Sequence, residues 1–195
     1  MELGPCRVSA GGNHTENNAY AWNQNAHLLF IDQPLNSGFS YGQRVDNSYD
    51  AAKDIDVFLR MFYRVSVPFS FSSCSKRVNL DFLTTGDWVK PIHLEIPPLL
   101  EAGLRVLIYS GDADWICNWY GGKAWSLAMD WSGKSEFAAA LDRPWLVDGE
   151  QAGESRTAGN FTFVRVFGAG HMVPYDQPKA SLDMVNSWIS NQSKF

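Results

Sequence analysis

Polar and apolar positions along the chain change rhythm several times. From Met1 to Asn25 the sequence is polar and loop-like, rich in Gly and Asn, with Ala19 to Asn23 as its apolar anchor. His27-Leu28-Leu29-Phe30-Ile31-Asp32 is then a short, nearly continuous apolar run closed by Gln33-Pro34, which predicts a strand buried on both faces of a sheet. Between Tyr49 and Tyr63 the apolar residues Ala51, Ala52, Ile55, Phe58, Leu59 and Phe62 recur at three- and four-residue intervals, predicting an amphipathic helix. Arg64 to Lys76 has neither period and reads as a connector. Gly86 to Pro91 is a turn opening a helix over 92–102, which Pro97-Pro98 must kink or shorten.

The second half repeats the strand-helix rhythm. Arg105 to Ser110 predicts a second buried strand, ending in Gly111-Asp112-Ala113-Asp114, and Trp119 to Trp131 predicts a helix. Glu150 to Gly159 reads as a polar connecting segment. Phe161 to Phe167 is a β-branched and aromatic run broken by Gly168 and Gly170, which delivers His171 at its tip before a closing helix over 178–189. This alternation predicts an α/β class with a mainly parallel sheet.

At 195 residues and 45% hydrophobic, the chain can bury a core of its own. A net charge of -5 without long charged runs gives no support to a nucleic-acid groove or a polybasic membrane patch, and no apolar run approaches membrane-spanning length. Small molecules or peptides are the partners this leaves. Met1 to Cys6 does not read as a signal peptide, yet N-x-[ST] sequons at Asn13, Asn160 and Asn191 would be used only in the secretory pathway. Cys6, Cys74 and Cys117 have no metal-ligand spacing, so neither a metal nor a cofactor is expected.

Asp114 and His171 both follow the carboxyl end of a predicted strand, where open α/β sheets collect reactive residues. Acid before base is also the chain order of a hydrolase triad, in which the acid fixes the imidazole tautomer and the imidazole takes the serine proton. Asp112 is the competing acid, with a turn residue as its ordinary reading. Gly38-Phe39-Ser40-Tyr41-Gly42 is a literal nucleophile-elbow pattern, but Gln33 to Ser37 separate it from the strand end, so the strained exposure an elbow needs is not implied for Ser40.

Glu2-Leu3-Gly4-Pro5, Trp22-Asn23, Leu29 to Pro34, Gly38 to Tyr41, Gly86-Asp87-Trp88, Tyr109 to Trp119 and Val166 to Pro174 together resemble the serine carboxypeptidase family, in family order. The resemblance implies an α/β-hydrolase fold over residues 1–195, hydrolysis of C-terminal residues from peptides, and a secretory, vacuolar or lysosomal, or extracellular location. It assigns Asp114 and His171 as triad acid and base, Glu2 as part of the clamp on the substrate carboxylate, and Cys117 and Met172 as pocket residues beside the scissile bond. From the residues alone, Glu2 is equally a terminal residue, Cys117 a buried thiol and Met172 core filler. Cys74 resembles a family half-cystine, and its pairing with Cys6 stays open.

The departures from the family pattern are as informative. The family's Gly-Glu-Ser-Tyr-Ala-Gly-type elbow follows the helix that corresponds to Tyr49 to Tyr63, but here that helix runs into residues 64–76, where elbow and cap are missing. The Trp-Asn-Gly-Gly-Pro-Gly-Cys-type motif that precedes Glu2 in the family is absent as well. A triad without nucleophile and oxyanion donors is expected to be inactive. Loss of the central elbow strand is expected to leave the remaining apolar faces and ladder groups uncovered. The remaining readings are a non-catalytic peptide-binding remnant and an unstable splice or gene-model product.

Overall fold

The computed structural model describes residues 3–62 and 75–190. Glu2, Cys74, Asn191 and nearly all of the 64–76 junction lie outside the described residues. In chain order the elements are strands β1 (Cys6–Val8) and β2 (Thr15–Asn17), then helices α1 (Ser48–Phe62), α2 (Lys76–Thr84) and α3 (Ile96–Glu101). Strand β3 (Val106–Gly111), helices α4 (Trp119–Ala128) and α5 (Lys134–Ala139) and strands β4 (Arg143–Val147), β5 (Glu150–Ala158) and β6 (Phe161–Val166) follow, before α6 (Val173–Asp176) and α7 (Pro178–Ile189). They divide into two compact units, Met1–Leu28 with His93–Phe195, and Leu29–Ile92.

The first unit is built on a four-stranded sheet of order β3-β6-β5-β4. The α/β class stands, but the sheet is mixed rather than mainly parallel: β3 and β6 are parallel, while β6 with β5 and β5 with β4 are antiparallel. Period-two alternation gives β3 and β6 two apolar faces. Val106, Ile108, Phe161 and Phe163 face a cluster with Leu100, Met129, Phe137 and Trp125 from the helices α3 to α5 and their flanks. Leu107, Tyr109, Val164 and Val166 face the opposite cluster, closed by Val173, Ala180 and Met184 from α6 and α7. Phe137, Phe161, Val164 and Val166 are completely buried. Each contributes about 1.5–3 kcal/mol of apolar burial.

Several elements differ from the sequence-based expectation. Glu150 to Ala158, read above as a connecting segment, is the longest strand. Its inward residues are Gly153, Ser155 and Ala158, too small and polar to show an apolar period, and Gly153 lies so close to β6 that a Cβ would sit 2.0 Å from the Arg165 carbonyl oxygen. Pro97 and Pro98 occupy the first turn of α3, where the missing N–H groups cost nothing, so the helix starts there instead of kinking. The helix from Trp119 stops at Ala128, and the loop-like N-terminus contains the β1-β2 hairpin.

His27 to Asp32 is not a strand, and Leu29 and Phe30 are 42% and 54% exposed. An apolar run becomes a buried strand only when neighbours accept its ladder bonds, and this run has none among the described residues.

In the second unit α1 matches its predicted period, yet Val57, Met61 and Phe62 on it remain exposed and Ala51 is its one buried residue. The unpredicted helix α2 is capped by Ser75, whose hydroxyl accepts from the Val78 N–H. Asp87, from the Gly86-Asp87-Trp88 stretch, is buried and anchors the start of α1: its carboxylate accepts from the Ser48 N–H at 3.0 Å and the Ser48 hydroxyl at 2.6 Å, with Lys90 Nζ at 3.0 Å. The Ser48 hydroxyl is the main reason its carboxyl lies below the ordinary range, against the opposing pull of burial.

Candidate active site

Parallel pairing puts the carboxyl ends of β3 and β6 at the same sheet edge, with Gly111 opposite Val166. The two loops that leave these ends are then laced together. Asp112 N–H donates to the Val166 carbonyl and Ala113 N–H to the Ala169 carbonyl, both at 2.9 Å. Gly168 N–H donates to Asp112 Oδ1 at 2.9 Å, and Gly170 N–H donates to Asp176 Oδ2 at 2.7 Å. Gln177 Nε2 donates to the Gly168 carbonyl at 3.1 Å. The approach is so close that a Cβ on Gly111 would lie 2.3 Å from the carbonyl oxygens of both Ala169 and Gly170. Gly168 takes a φ of 65°, open to glycine at no steric cost.

This lacing brings Asp114 and His171 together across 57 residues of sequence. His171 Nδ1 lies 2.8 Å from Asp114 Oδ2, and Asp114 Oδ1 accepts from the N–H groups of Ile116 at 2.9 Å and Cys117 at 3.0 Å. The Asp114 side chain is 7% exposed and that of His171 67% exposed. Burial pushes the Asp114 carboxyl upward, but the hydrogen bonds from His171 and from the Cys117 and Ile116 N–H groups outweigh it, so the group stays ionised below the ordinary carboxylate range. With Nδ1–H given to a fixed carboxylate, Nε2 is left as the basic atom, the arrangement a general base needs.

Asp112, weighed above as a rival acid, is occupied otherwise. Its Oδ1 holds the Gly168 N–H and its Oδ2 lies 3.6 Å from Arg165, so it ties the two loops together. Sequence reading missed Asp176 and Gln177 as loop anchors, although the Asp-Gln pair just ahead of Pro178 is the kind of polar stop that opens a helix.

Cys117 is an exposed thiol and Met172 is 46% exposed, so neither is the buried filler that an isolated reading allows. A sulfur from Cys117, a ring nitrogen of His171 and a carboxylate oxygen of Asp114 all lie within 4.8 Å of one another. The sequence-based expectation of no metal-binding cluster rested on spacing along the chain, and the folded chain brings three donors together from two loops. Cys6 is likewise exposed, and its pairing with Cys74 lies outside the described residues.

Ser40 is not an elbow nucleophile in its observed setting. Its hydroxyl donates to the carbonyl of Ser37 at 2.6 Å, in a turn where Gly38 has φ 55°, and residues 27–36 leading into it form no strand. Among the described residues, no hydroxyl is hydrogen-bonded to His171. Of the sequons, Asn13 is exposed, whereas Asn160 donates through Nδ2 to the carbonyls of Leu100 at 2.9 Å and Leu104 at 2.7 Å.

Comparison with known proteins bears on the whole chain. The family model described as Serine carboxypeptidase matches residues 1–69 and 64–191, two pieces that meet at the junction after α1. Carboxypeptidase Y homolog A of Talaromyces marneffei is 52% identical over 128 residues, 63% of this chain and 23% of that protein. Carboxypeptidase Y of Komagataella phaffii is 48% identical over 126 residues, 65% of this chain and 24% of that protein. Among solved structures, Kex1(delta)p, a prohormone-processing carboxypeptidase from Saccharomyces cerevisiae, is similar with a TM-score of 0.54 and 29% identity, over 62% of this chain and 26% of that one. The alignments span about a quarter of the length of these relatives.

Proposed function

The chain belongs to the serine carboxypeptidase family, and we propose that it carries the acid and base of that family's peptide-hydrolysing triad, Asp114 and His171, without the serine they would serve. The observation that carries this reading is the 2.8 Å contact between His171 Nδ1 and Asp114 Oδ2, with Asp114 Oδ1 held by two backbone N–H groups. In a complete triad, Nε2 takes the serine proton as the hydroxyl attacks the scissile carbonyl, and the paired Asp114 stabilises the imidazolium that forms.

Here the sequence from Tyr63 to Cys74 contains no Gly-x-Ser-x-Gly, and the family match divides at that point. Without a nucleophile there is no acyl-enzyme, and the chain by itself releases no C-terminal amino acids. Met172 and Cys117 flank the dyad as pocket residues for the side chains beside the scissile bond, and Glu2 serves the substrate carboxylate. Family membership and the exposed Asn13 support passage through the secretory pathway, with glycan at Asn13.

The test is incubation of the purified chain with peptides ending in a free carboxylate, read by mass spectrometry. The expected result is no shortening. Shortening that is abolished by Ser40→Ala would overturn the proposal. A second reading, a binding remnant, draws on the exposed apolar residues Trp115, Ile116, Tyr120 and Tyr175 near the dyad in sequence. It predicts tighter binding of free than of C-terminally amidated peptides, and equal binding of the two rules it out.

A further inference from the structure

The geometry points to Asp114, Cys117 and His171 as a binding site for one borderline-soft divalent cation of the Zn²⁺ type. Three donors of three kinds, a thiol sulfur, an imidazole nitrogen and a carboxylate oxygen, lie within 4.8 Å of one another. A tetrahedral zinc ion with bonds of about 2.0–2.3 Å holds its ligand atoms roughly 3.5 Å apart, so the widest donor pair closes by about 1 Å while His171 Nδ1 and Asp114 Oδ2, hydrogen-bonded at 2.8 Å, give up that bond and move apart. Thiolate with imidazole selects Zn²⁺ over Mg²⁺ or Ca²⁺, which prefer all-oxygen shells.

The site is held by its backbone rather than by chance encounter of mobile side chains. Asp114 Oδ1 is engaged by the Ile116 and Cys117 N–H groups, which orients the carboxylate and leaves Oδ2 on the side of His171. The same Cys117 N–H bond fixes the backbone from which the thiol projects. His171 sits on the loop laced to the end of β3 through Asp112 and to α6 through Asp176. The exposure of Cys117 and His171 gives the cation an entry path and leaves a fourth position to water. The thiol binds as thiolate, its proton passing to solvent, and the Nδ1 proton held against Asp114 moves to Nε2, which frees Nδ1 and Oδ2 to ligate. A bound cation engages the same imidazole and carboxylate as the triad, so metal and acid-base roles exclude each other.

The inference rests on the Asp114–His171 geometry and not on peptide hydrolysis, and its readouts involve no peptide. Alkylation of Cys117 by iodoacetamide in the full chain is followed by peptide mass mapping with and without Zn²⁺. Zn²⁺ is expected to slow alkylation of Cys117 at least about tenfold, Mg²⁺ to leave the rate unchanged, and His171→Gln to remove the protection. Because the His171 side chain is two-thirds exposed, that substitution opens no core cavity. Independently, Co²⁺ is expected to give tetrahedral d–d bands and a thiolate charge-transfer band at one equivalent, with Cys117→Ser eliminating the charge-transfer band. Equal alkylation rates with and without Zn²⁺, protection that survives His171→Gln, or a Co²⁺ spectrum unchanged by Cys117→Ser overturns the proposal.

Discussion

Replacing Asp114 by Asn keeps the shape of the side chain and removes its charge. In the folded chain that charge accepts from the Ile116 and Cys117 N–H groups and from His171 Nδ1. Hydrogen bonds to a charged acceptor are worth about 1.5–3 kcal/mol against about 0.5–1.5 for neutral ones. Ile116 is three-quarters exposed and His171 two-thirds exposed, so solvent screens much of the difference. The expected cost of Asp114→Asn at neutral pH is therefore about 1–2 kcal/mol.

The pH dependence has a definite sign. The Asp114 carboxyl is held below its ordinary range in the folded chain, despite burial, by these same donors. A depressed folded value gives stability that is complete above the unfolded value near about 3.9 and is lost as pH falls through the folded value. Asp50, Asp56, Asp87 and Asp142 are also depressed and weaken both proteins on acidification, so the informative quantity is the difference between wild type and variant. Urea denaturation of both chains at about pH 7, 5 and 3.5 should show a deficit that is constant over the first two and shrinks at the third. A deficit that is absent at neutral pH, or that persists undiminished in acid, refutes an ionised Asp114 held by three donors.

Three other substitutions test how the site is positioned. Gly111→Ala forces a Cβ to within 2.3 Å of two backbone oxygens and should cost at least about 2 kcal/mol, with amide chemical-shift changes concentrated at residues 167–171. Asp87→Ala strips the start of α1 of its acceptors for the Ser48 N–H and hydroxyl and should cost about 1–3 kcal/mol in urea denaturation, whereas Asp87→Asn should cost less. Phe161→Ala removes a fully buried ring between the sheet and α5 and should cost about 3–5 kcal/mol by the same measurement.

The Asp114–His171 pair was legible in the sequence because each of the two residues follows a strand whose apolar pattern is unbroken. Val106 to Ser110 and Phe161 to Phe167 announce β3 and β6, and parallel pairing of the two does the rest. What the sequence hid was pairing that depends on small residues. β5 buries Gly153, Ser155 and Ala158, and no hydrophobic period marks it, so the antiparallel half of the sheet was not foreseen. The opposite error occurred at His27 to Asp32, where apolarity alone predicted a strand that has no neighbour to pair with among the described residues. The donor cluster of Asp114, Cys117 and His171 was likewise invisible to spacing rules, because Cys117 and His171 come from different loops.

The claim that Asp114 sets His171 up as a base is tested most directly by the tautomer of the imidazole. Long-range ¹H–¹⁵N spectra of the ¹⁵N-labelled chain, at a pH where the ring is uncharged, should show His171 with its proton on Nδ1 and a free Nε2, and Asp114→Asn should move the proton toward Nε2. A wild-type ring that carries its proton on Nε2, or a tautomer ratio that Asp114→Asn leaves unchanged, contradicts the account.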